Sequence, residues 1–280
     1  MQVSLLQCQS SRDVEANLAF IESQLERLPR VPGEPQLVVL PECCLLFGGH
    51  ESEQLAWSGE DEPLKHALAA LAARFGVFLV AGTIPARSGD GRVYSRCYVF
   101  DDAGNVLGHY EKIHLFDVDV ADGTKTYRES DTFCPGENLV VVDTPFGKLG
   151  LAICYDVRFP DMFRALRLAG AEIIALPAAF TRVTGEAHWE ILLKARAIES
   201  QCFVLGAAQW GAHNTGSRET WGQSMLIDPW GRTLAELVQG TGWVQARLDR
   251  DELTRVRAAM PVVSHNRFAA PELLPTKAGQ

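Results

Sequence analysis

The sequence predicts a mixed α/β fold in one domain, on three observations. Short apolar runs alternate with amphipathic stretches along the whole chain, the pattern of strands and helices in layered α/β proteins. Some neighbouring runs are joined by turn residues, as at Asp101-Asp102-Ala103-Gly104-Asn105 and Pro229-Trp230-Gly231, which marks β-hairpins. No linker divides the chain, and two similar units, Leu37-Val38-Val39-Leu40-Pro41 and Ile173-Ile174-Ala175-Leu176-Pro177, each follow a helix and point to a pseudo-symmetric arrangement.

Taken in order, residues 2–9 read as the first strand. Ser10-Ser11 can cap the helix that follows, where Val14, Leu18, Ile21, Leu25 and Leu28 recur at spacings of four and three, and Pro29, Pro32, Gly33 and Pro35 end it. Residues 36–42 form a buried strand that delivers Glu42 at its end. Gly48 and Gly49 mark a loop, and residues 63–75 a second amphipathic helix with Leu64, Leu68, Leu71 and Phe75 on one face. Residues 77–82 are a strand, and 93–100 with 106–112 a hairpin. The stretch 114–137 is long, polar and Gly-punctuated, and so long a loop inside a compact domain is usually functional. A second hairpin spans 139–143 and 147–153. Helices at 162–169 and 188–200 alternate with strands at 172–177 and 202–209. Strands at 223–228, 233–238 and 242–248 follow, then a helix to Ala259 capped by Asp249 with Glu252.

Composition sets limits. The chain has 280 residues, 47% hydrophobic and 22% charged, enough for a sizeable core. Net charge is −9 with no basic block, so nucleic acid is not an expected partner. No apolar run approaches a bilayer span, so no membrane partner is expected either. The start, Met1-Gln2-Val3-Ser4-Leu5-Leu6, lacks the basic region and apolar core of a secretory signal. The seven cysteines are odd in number and resemble no disulfide framework, so a reducing cytoplasm is the expected location. No Cys-x-x-Cys or His-Glu-x-x-His spacing occurs, and no metal is expected.

One stretch stands apart: Leu149-Gly150-Leu151-Ala152-Ile153-Cys154-Tyr155-Asp156-Val157-Arg158-Phe159-Pro160. An apolar run ends on a cysteine and changes at once to Asp, Arg and Pro. The run reads as a strand with Cys154 at its carboxyl end, where reacting groups gather in layered α/β folds, and Pro160 as the first turn of a helix. Alone, Cys154 is a small buried hydrophobe. But two other apolar strands also end on charge, at Glu42 and at Lys112 in Tyr110-Glu111-Lys112-Ile113-His114-Leu115. A thiol nucleophile needs a base, and its tetrahedral intermediate needs donors for the oxyanion. A carboxylate drawn out of water gains basicity and can take the thiol proton. An ammonium beside the thiol favours the thiolate and can later bind the oxyanion. The backbone N–H of Tyr155 is a second candidate donor.

These residues carry a resemblance. Leu40-Pro41-Glu42, Tyr110-Glu111-Lys112-Ile113-His114-Leu115-Phe116 and Ile153-Cys154-Tyr155-Asp156-Val157-Arg158-Phe159-Pro160 resemble the three signatures of the nitrilase superfamily, the carbon–nitrogen hydrolases, in order and with compatible spacing. The resemblance extends over residues 1–268 and leaves 269–280 as a loosely held tail. It implies a four-layer αββα sandwich, a small-molecule amide substrate, a homodimer or higher homo-oligomer, and no cofactor. It also implies a Glu42–Lys112–Cys154 triad that hydrolyses a C–N bond through a thioester. The family carries a second glutamate in the loop before the nucleophile, and Glu129 in Tyr127-Arg128-Glu129-Ser130-Asp131-Thr132-Phe133 matches it.

Within the superfamily, Cys154-Tyr155-Asp156 differs from true nitrilases, which show Cys-Trp-Glu, and from carbamoyl hydrolases. Phe180-Thr181-Arg182-Val183-Thr184-Gly185-Glu186-Ala187-His188-Trp189-Glu190 is similar to both omega-amidases and deaminated glutathione amidases, although usual members have Gly-Pro-Ala-His-Trp at 185–189. Ala195 to Cys202, Ala207-Ala208-Gln209 and Asp228-Pro229-Trp230-Gly231 resemble the deaminated glutathione amidases more. The implied substrate is a 2-oxo dicarboxylate amidated at its far carboxyl by Cys-Gly. Its keto-acid end calls for a fixed cation, for which Arg158 is the candidate, with Phe180 and Thr184 as wall and hydrogen-bonding group for the acyl part. An omega-amidase acting on 2-oxoglutaramate or a related dicarboxylate monoamide is the alternative in the same chemistry. A catalytically idle scaffold is the alternative of another class, and intact Glu42, Lys112 and Cys154 argue against it. A thiol redox protein is disfavoured because no resolving cysteine lies close to Cys154 in sequence.

Overall fold

The computed structural model describes residues 1–47, 51–122, 126–214 and 218–275. The loop read at Gly48-Gly49 and the end of the tail lie outside the described residues. The first half of the chain runs β1 (Gln2–Gln7), α1 (Val14–Glu26), β2 (Gln36–Val39), α2 (Glu51–Trp57), α3 (Asp61–Phe75), β3 (Phe78–Val80), β4 (Ile84–Arg87), β5 (Val93–Phe100), β6 (Val106–Glu111), β7 (Asp117–Asp119) and β8 (Thr126–Arg128). The second runs β9 (Val141–Thr144), β10 (Gly147–Leu151), α4 (Pro160–Leu168), β11 (Ile173–Ala178), α5 (Arg182–Ser200), β12 (Phe203–Ala208), β13 (Trp210–Ala212), β14 (Glu219–Trp221), β15 (Ser224–Ile227), β16 (Thr233–Leu237), β17 (Gly242–Arg247), α6 (Arg250–Ala259) and α7 (Val262–His265).

Two sheets organise these elements. One has the order β17-β1-β2-β3-β5-β4, with β6 added on β5; the other is β16-β15-β12-β11-β10-β9. Each contains a parallel trio, β1-β2-β3 or β10-β11-β12, flanked on both sides by antiparallel strands. The likeness of 37–41 to 173–177 has this origin, since β2 and β11 are the middle strands of the two trios. Both are buried along their whole length, as parallel strands covered on two faces must be.

The two-residue period of the strands sorts the core. Val3, Leu5, Leu37 and Val39 pack in one cluster with Leu149, Leu151 and Ile173 of the second sheet. Their neighbours Leu6, Val38 and Leu79 turn the other way, onto Ile21 and Leu25 of α1 and Leu64 and Leu68 of α3. On the far side of the second sheet, a Cβ at Gly150 would meet Leu166 of α4, and one at Gly206 would meet Leu193 and Trp189 of α5. The layers therefore run α-β-β-α, the sandwich that the resemblance implies.

Several boundaries differ from the sequence reading. Asp13 caps α1, accepting from the Ala16 N–H at 3.0 Å, because a carboxylate also suits the helix dipole and Ser10 and Ser11 are engaged elsewhere. Helix α5 starts at Arg182 rather than at 188. Thr181 caps it, and Gly185 is the reason the first turn can lie flat on β14, since a Cβ there would sit 2.2 Å from Trp221. Asp249 caps α6 through the Asp251 N–H, while Glu252 pairs with Arg232 and Arg255 instead of completing a capping box. The stretch 114–137 is partly folded, with β7 paired to β8 and a 3-10 turn at Glu129–Asp131. Strand β10 stops at Leu151, so Cys154 stands off the ladder and opens a 3-10 turn, Cys154–Arg158.

Candidate active site

Four charged or nucleophilic side chains converge from four different segments. Glu42 follows β2, Lys112 follows β6, Glu129 follows β8 and Cys154 follows β10. Glu42, Lys112 and Cys154 are 5%, 2% and 7% exposed, so their interactions act in a medium much drier than water. Lys112 Nζ donates to Glu42 Oε1 at 3.0 Å and to Glu129 Oε1 and Oε2 at 3.0 and 2.9 Å. Glu129 Oε2 also accepts from the Phe116 N–H at 2.6 Å. The Glu42 carboxylate and the Lys112 ammonium both act electrostatically on the Cys154 thiol.

The electrostatics follow from burial and from this ion cluster. Burial pushes the Cys154 thiol well above its ordinary pKa, and the Glu42 carboxylate pushes the same way against the weaker pull of Lys112. Burial works against the Lys112 charge, but Glu129 and Glu42 outweigh it and hold the ammonium well above its usual value. Burial raises the Glu129 carboxyl against the pull of Lys112. Lys112 favours the thiolate, as expected, but burial and the Glu42 carboxylate outweigh it, and its charge is already shared by two carboxylates.

The backbone is shaped to hold these groups. Cys154 has φ 47°, a left-handed conformation that a non-glycine residue keeps only where its surroundings enforce it. Asp156, fully buried, supplies much of that enforcement. Its carboxylate accepts from Ile153 N–H at 2.8 Å, Tyr110 hydroxyl at 2.8 Å and His114 N–H at 3.1 Å, and lies 2.7 Å from His114 Nδ1. One side chain thus joins the turn before Cys154 to residues on both sides of Lys112. On the Glu42 side, Cys43 is also left-handed, at φ 54°, and its N–H is held by Thr83 Oγ1 at 2.8 Å. Gly82 leaves room for this turn, because a Cβ there would lie 2.2 Å from the Pro41 carbonyl oxygen. Gln209 Nε2 donates to the Glu42 carbonyl at 3.0 Å from the opposite sheet.

Glu42, Lys112, Glu129 and Cys154 open onto one cavity, whose wall also includes Tyr155, Phe180 and Thr184. Arg158 does not line it. Its guanidinium stacks behind two wall residues, 5.7 Å from the Tyr155 ring centre and 5.2 Å from that of Phe180, and hydrogen-bonds His188 Nδ1 at 3.3 Å. The wall adds Cys43, Phe47, Gln54 and Arg218, which lie outside the motifs, and Phe116, Tyr127 and Phe133, which lie within quoted stretches that gave them no role. They come from loops and from the short elements α2 and β8, where no periodicity marks them. Among the described residues no group of three or more His, Cys, Asp or Glu could hold a metal ion, and no helix is long and apolar enough to cross a membrane.

Comparison with known proteins gives the same placement. The family model for carbon-nitrogen hydrolases matches residues 2–258. A deaminated glutathione amidase of Yersinia enterocolitica is 45% identical over 275 residues, covering 96% of this chain and 93% of that protein. The crystal structure of the Caenorhabditis elegans NitFhit protein is 36% identical with a TM-score of 0.87 over 95% of this chain, which spans 65% of that protein's length. A mutant of the amidase from Nesterenkonia sp. AN1, showing the result of Michael addition of acrylamide at its active site cysteine, is 28% identical with a TM-score of 0.77, covering 94% of this chain and 99% of that one. The chain belongs to the carbon–nitrogen hydrolase family.

Proposed function

We propose that the protein hydrolyses the amide bond of deaminated glutathione, giving 2-oxoglutarate and Cys-Gly, with Cys154 as nucleophile. The observation that carries the reading is the gathering at a single cavity of a buried thiol, a buried ammonium, the buried Glu42 carboxylate and the largely buried Glu129 carboxylate, with the ammonium hydrogen-bonded to both carboxylates. Glu42 takes the thiol proton as sulfur attacks the amide carbonyl. Lys112 Nζ and the N–H of Tyr155, in the first turn of the 3-10 helix where backbone donors lack a partner within the turn, receive the oxyanion. Collapse of the intermediate breaks the C–N bond, and Glu42 returns its proton to the departing amine. Water, deprotonated by Glu42, then cleaves the thioester and regenerates the thiol. Glu129 keeps Lys112 charged and fixed through both steps, by its two contacts to Nζ.

In this reading Phe180 and Thr184 meet the acyl part, and Arg158 backs Phe180 from behind the wall instead of touching the 2-oxo carboxylate. The relative from Yersinia enterocolitica, named for this activity at 45% identity, supports the substrate over 2-oxoglutaramate. The test is release of 2-oxoglutarate from each of the two. A higher kcat/KM for deaminated glutathione is the expected result, and a higher value for 2-oxoglutaramate moves the assignment to an omega-amidase. The working unit in this reading is residues 1–268, with 269–280 an appended tail. We also place it in the cytoplasm, where its free thiols stay reduced. Ile191 and Ile198, one face of α5 at 70% and 52% exposure, support a homodimer or higher homo-oligomer, which sedimentation checks.

A further inference from the structure

The cavity wall contains two cations, Lys112 and Arg218. Lys112 is paired with Glu42 and Glu129 and faces the reacting carbonyl in the reading above. Arg218 makes no ion pair with any described residue. Its guanidinium lies instead 4.6 Å from the Phe47 ring centre and 5.6 Å from that of Tyr127, an arrangement that orients the planar fork and leaves its N–H donors for a ligand.

A row of rings separates this cation from the other one near the site. Arg158 stacks on Tyr155; the Tyr155 ring centre is 5.2 Å from that of Phe116; Phe116 is 5.1 Å from Tyr127; and Tyr127 carries Arg218. Tyr155 follows Cys154 in the chain, and Arg218 stands two ring–ring contacts and one cation–ring contact beyond it. Deaminated glutathione has a carboxylate at each end, on arms of unequal length. The 2-oxo carboxylate is on the short arm from the reacting carbonyl, and the glycine carboxylate is on the longer arm that leaves. The leaving Cys-Gly is two residues, which reach roughly 7 Å when extended.

We propose that Arg218 binds the terminal carboxylate of the leaving dipeptide and so determines the preference for a Cys-Gly amide over a primary amide. The proposal rests on the substrate reading above. It assigns the two ends of one substrate to different walls of the cavity, the acyl part to Phe180 and Thr184 and the part released first to Arg218. A guanidinium on the leaving group contributes nothing to 2-oxoglutaramate, whose leaving group is ammonia, and its binding energy is available to the transition state only when the dipeptide is present.

The experiment compares wild type and Arg218→Ala on deaminated glutathione, on the same compound with its glycine carboxylate converted to an amide, and on 2-oxoglutaramate. The wild type should lose about 10–100-fold in kcat/KM when the carboxylate is masked, a result that needs no variant. Arg218→Ala should lose a similar factor on the free acid and little more on the masked one, so that the two changes do not compound. The ratio of kcat/KM for deaminated glutathione over 2-oxoglutaramate should fall by the same factor. Preference for deaminated glutathione that survives both masking and Arg218→Ala overturns this proposal and leaves the substrate reading standing. An equal fall on all three substrates overturns it too, assigning Arg218 to the acyl end. Wild-type activity confined to 2-oxoglutaramate overturns the substrate reading itself.

Discussion

The two parallel trios are built alike and loaded differently. In the first sheet the middle strand, β2, leads directly to Glu42. In the second the middle strand, β11, leads to the cavity wall at Ala179, Phe180 and Thr181, while the nucleophile follows the outer member, β10. Glu42 is fixed chiefly through main chain: the Cys43 N–H on Thr83, the Glu42 carbonyl on Gln209, and the close approach of Gly82. Cys154 sits beyond the end of its ladder and depends on one carboxylate, Asp156. A base can be carried by the scaffold, whereas a nucleophile in a left-handed turn needs a side chain to hold it there.

Removing the chemistry of either half should have the largest effects. Cys154→Ala should abolish thioester formation, and mass spectrometry of protein quenched with substrate should show no acyl adduct. Lys112→Met and Glu42→Gln should each lower kcat by about 10²-fold or more, the range for losing an oxyanion donor or a general base. Because Lys112 neutralises two carboxylates, Lys112→Met should also destabilise the fold by about 3–5 kcal/mol, as expected for breaking a buried ion pair from one side. Glu42→Gln leaves Glu129 on the ammonium and should be the milder of the two in a denaturant titration. A reversed order would mean that Glu42, not Glu129, is the structural partner of Lys112.

The next contrast is between the two braces. Asp156→Asn preserves shape but leaves one acceptor oxygen where two served, with an amide group turned toward donors. It should lower kcat by about 10-fold or more with KM little changed, since the turn carrying Cys154 loosens while the cavity wall stays. Gln209→Leu removes the hold on the Glu42 carbonyl and the bond to Ser10 Oγ at 2.8 Å, but the Thr83 contact remains. It should cost roughly 1–3 kcal/mol in stability and affect kcat less than Asp156→Asn. Equal kcat losses in the two variants would erase the distinction between a main-chain-held base and a side-chain-held nucleophile.

This asymmetry also explains what was legible in sequence. Glu42 and Cys154 each close an apolar run, so hydrophobic patterning exposes them, whereas Lys112 follows the largely exposed strand β6 and is found, like Glu129, through its motif. Arg218 and Tyr127 stand in short or irregular segments, where nothing local separates a cavity residue from a surface one. The start of α5 was hidden because Gly185 breaks a helical pattern and its reason, the ring of Trp221, is distant in sequence. Arg158 has the right chemistry beside the nucleophile, but its rank behind Tyr155 and Phe180 depends on side-chain packing that spacing does not encode.

The smallest effect tests the seam where the two halves meet. Cys8, just after β1, bridges Gln209, just after β12, and His213 lies beside this junction. His213 is fully buried, with Nδ1 2.8 Å from the Ser10 carbonyl oxygen and Nε2 2.7 Å from Thr220 Oγ1. Burial holds its pKa down to about 4, against the opposing pull of the Ser10 carbonyl. In the unfolded chain histidine titrates near ~6.5. Between these values the unfolded chain takes up a proton that the folded protein refuses. The stability tied to His213 is therefore fully present above about pH 6.5 and is lost as pH falls toward about 4. At ~1.4 kcal/mol per pH unit the whole window is worth on the order of 3 kcal/mol. Urea midpoints for wild type and His213→Gln at pH 7.5 and pH 5 measure it: the variant should start lower, having lost a fitted ring against Phe47, and fall less between the two pH values. Parallel falls in the two proteins would show that the seam titrates through other groups and that His213 serves there by packing alone.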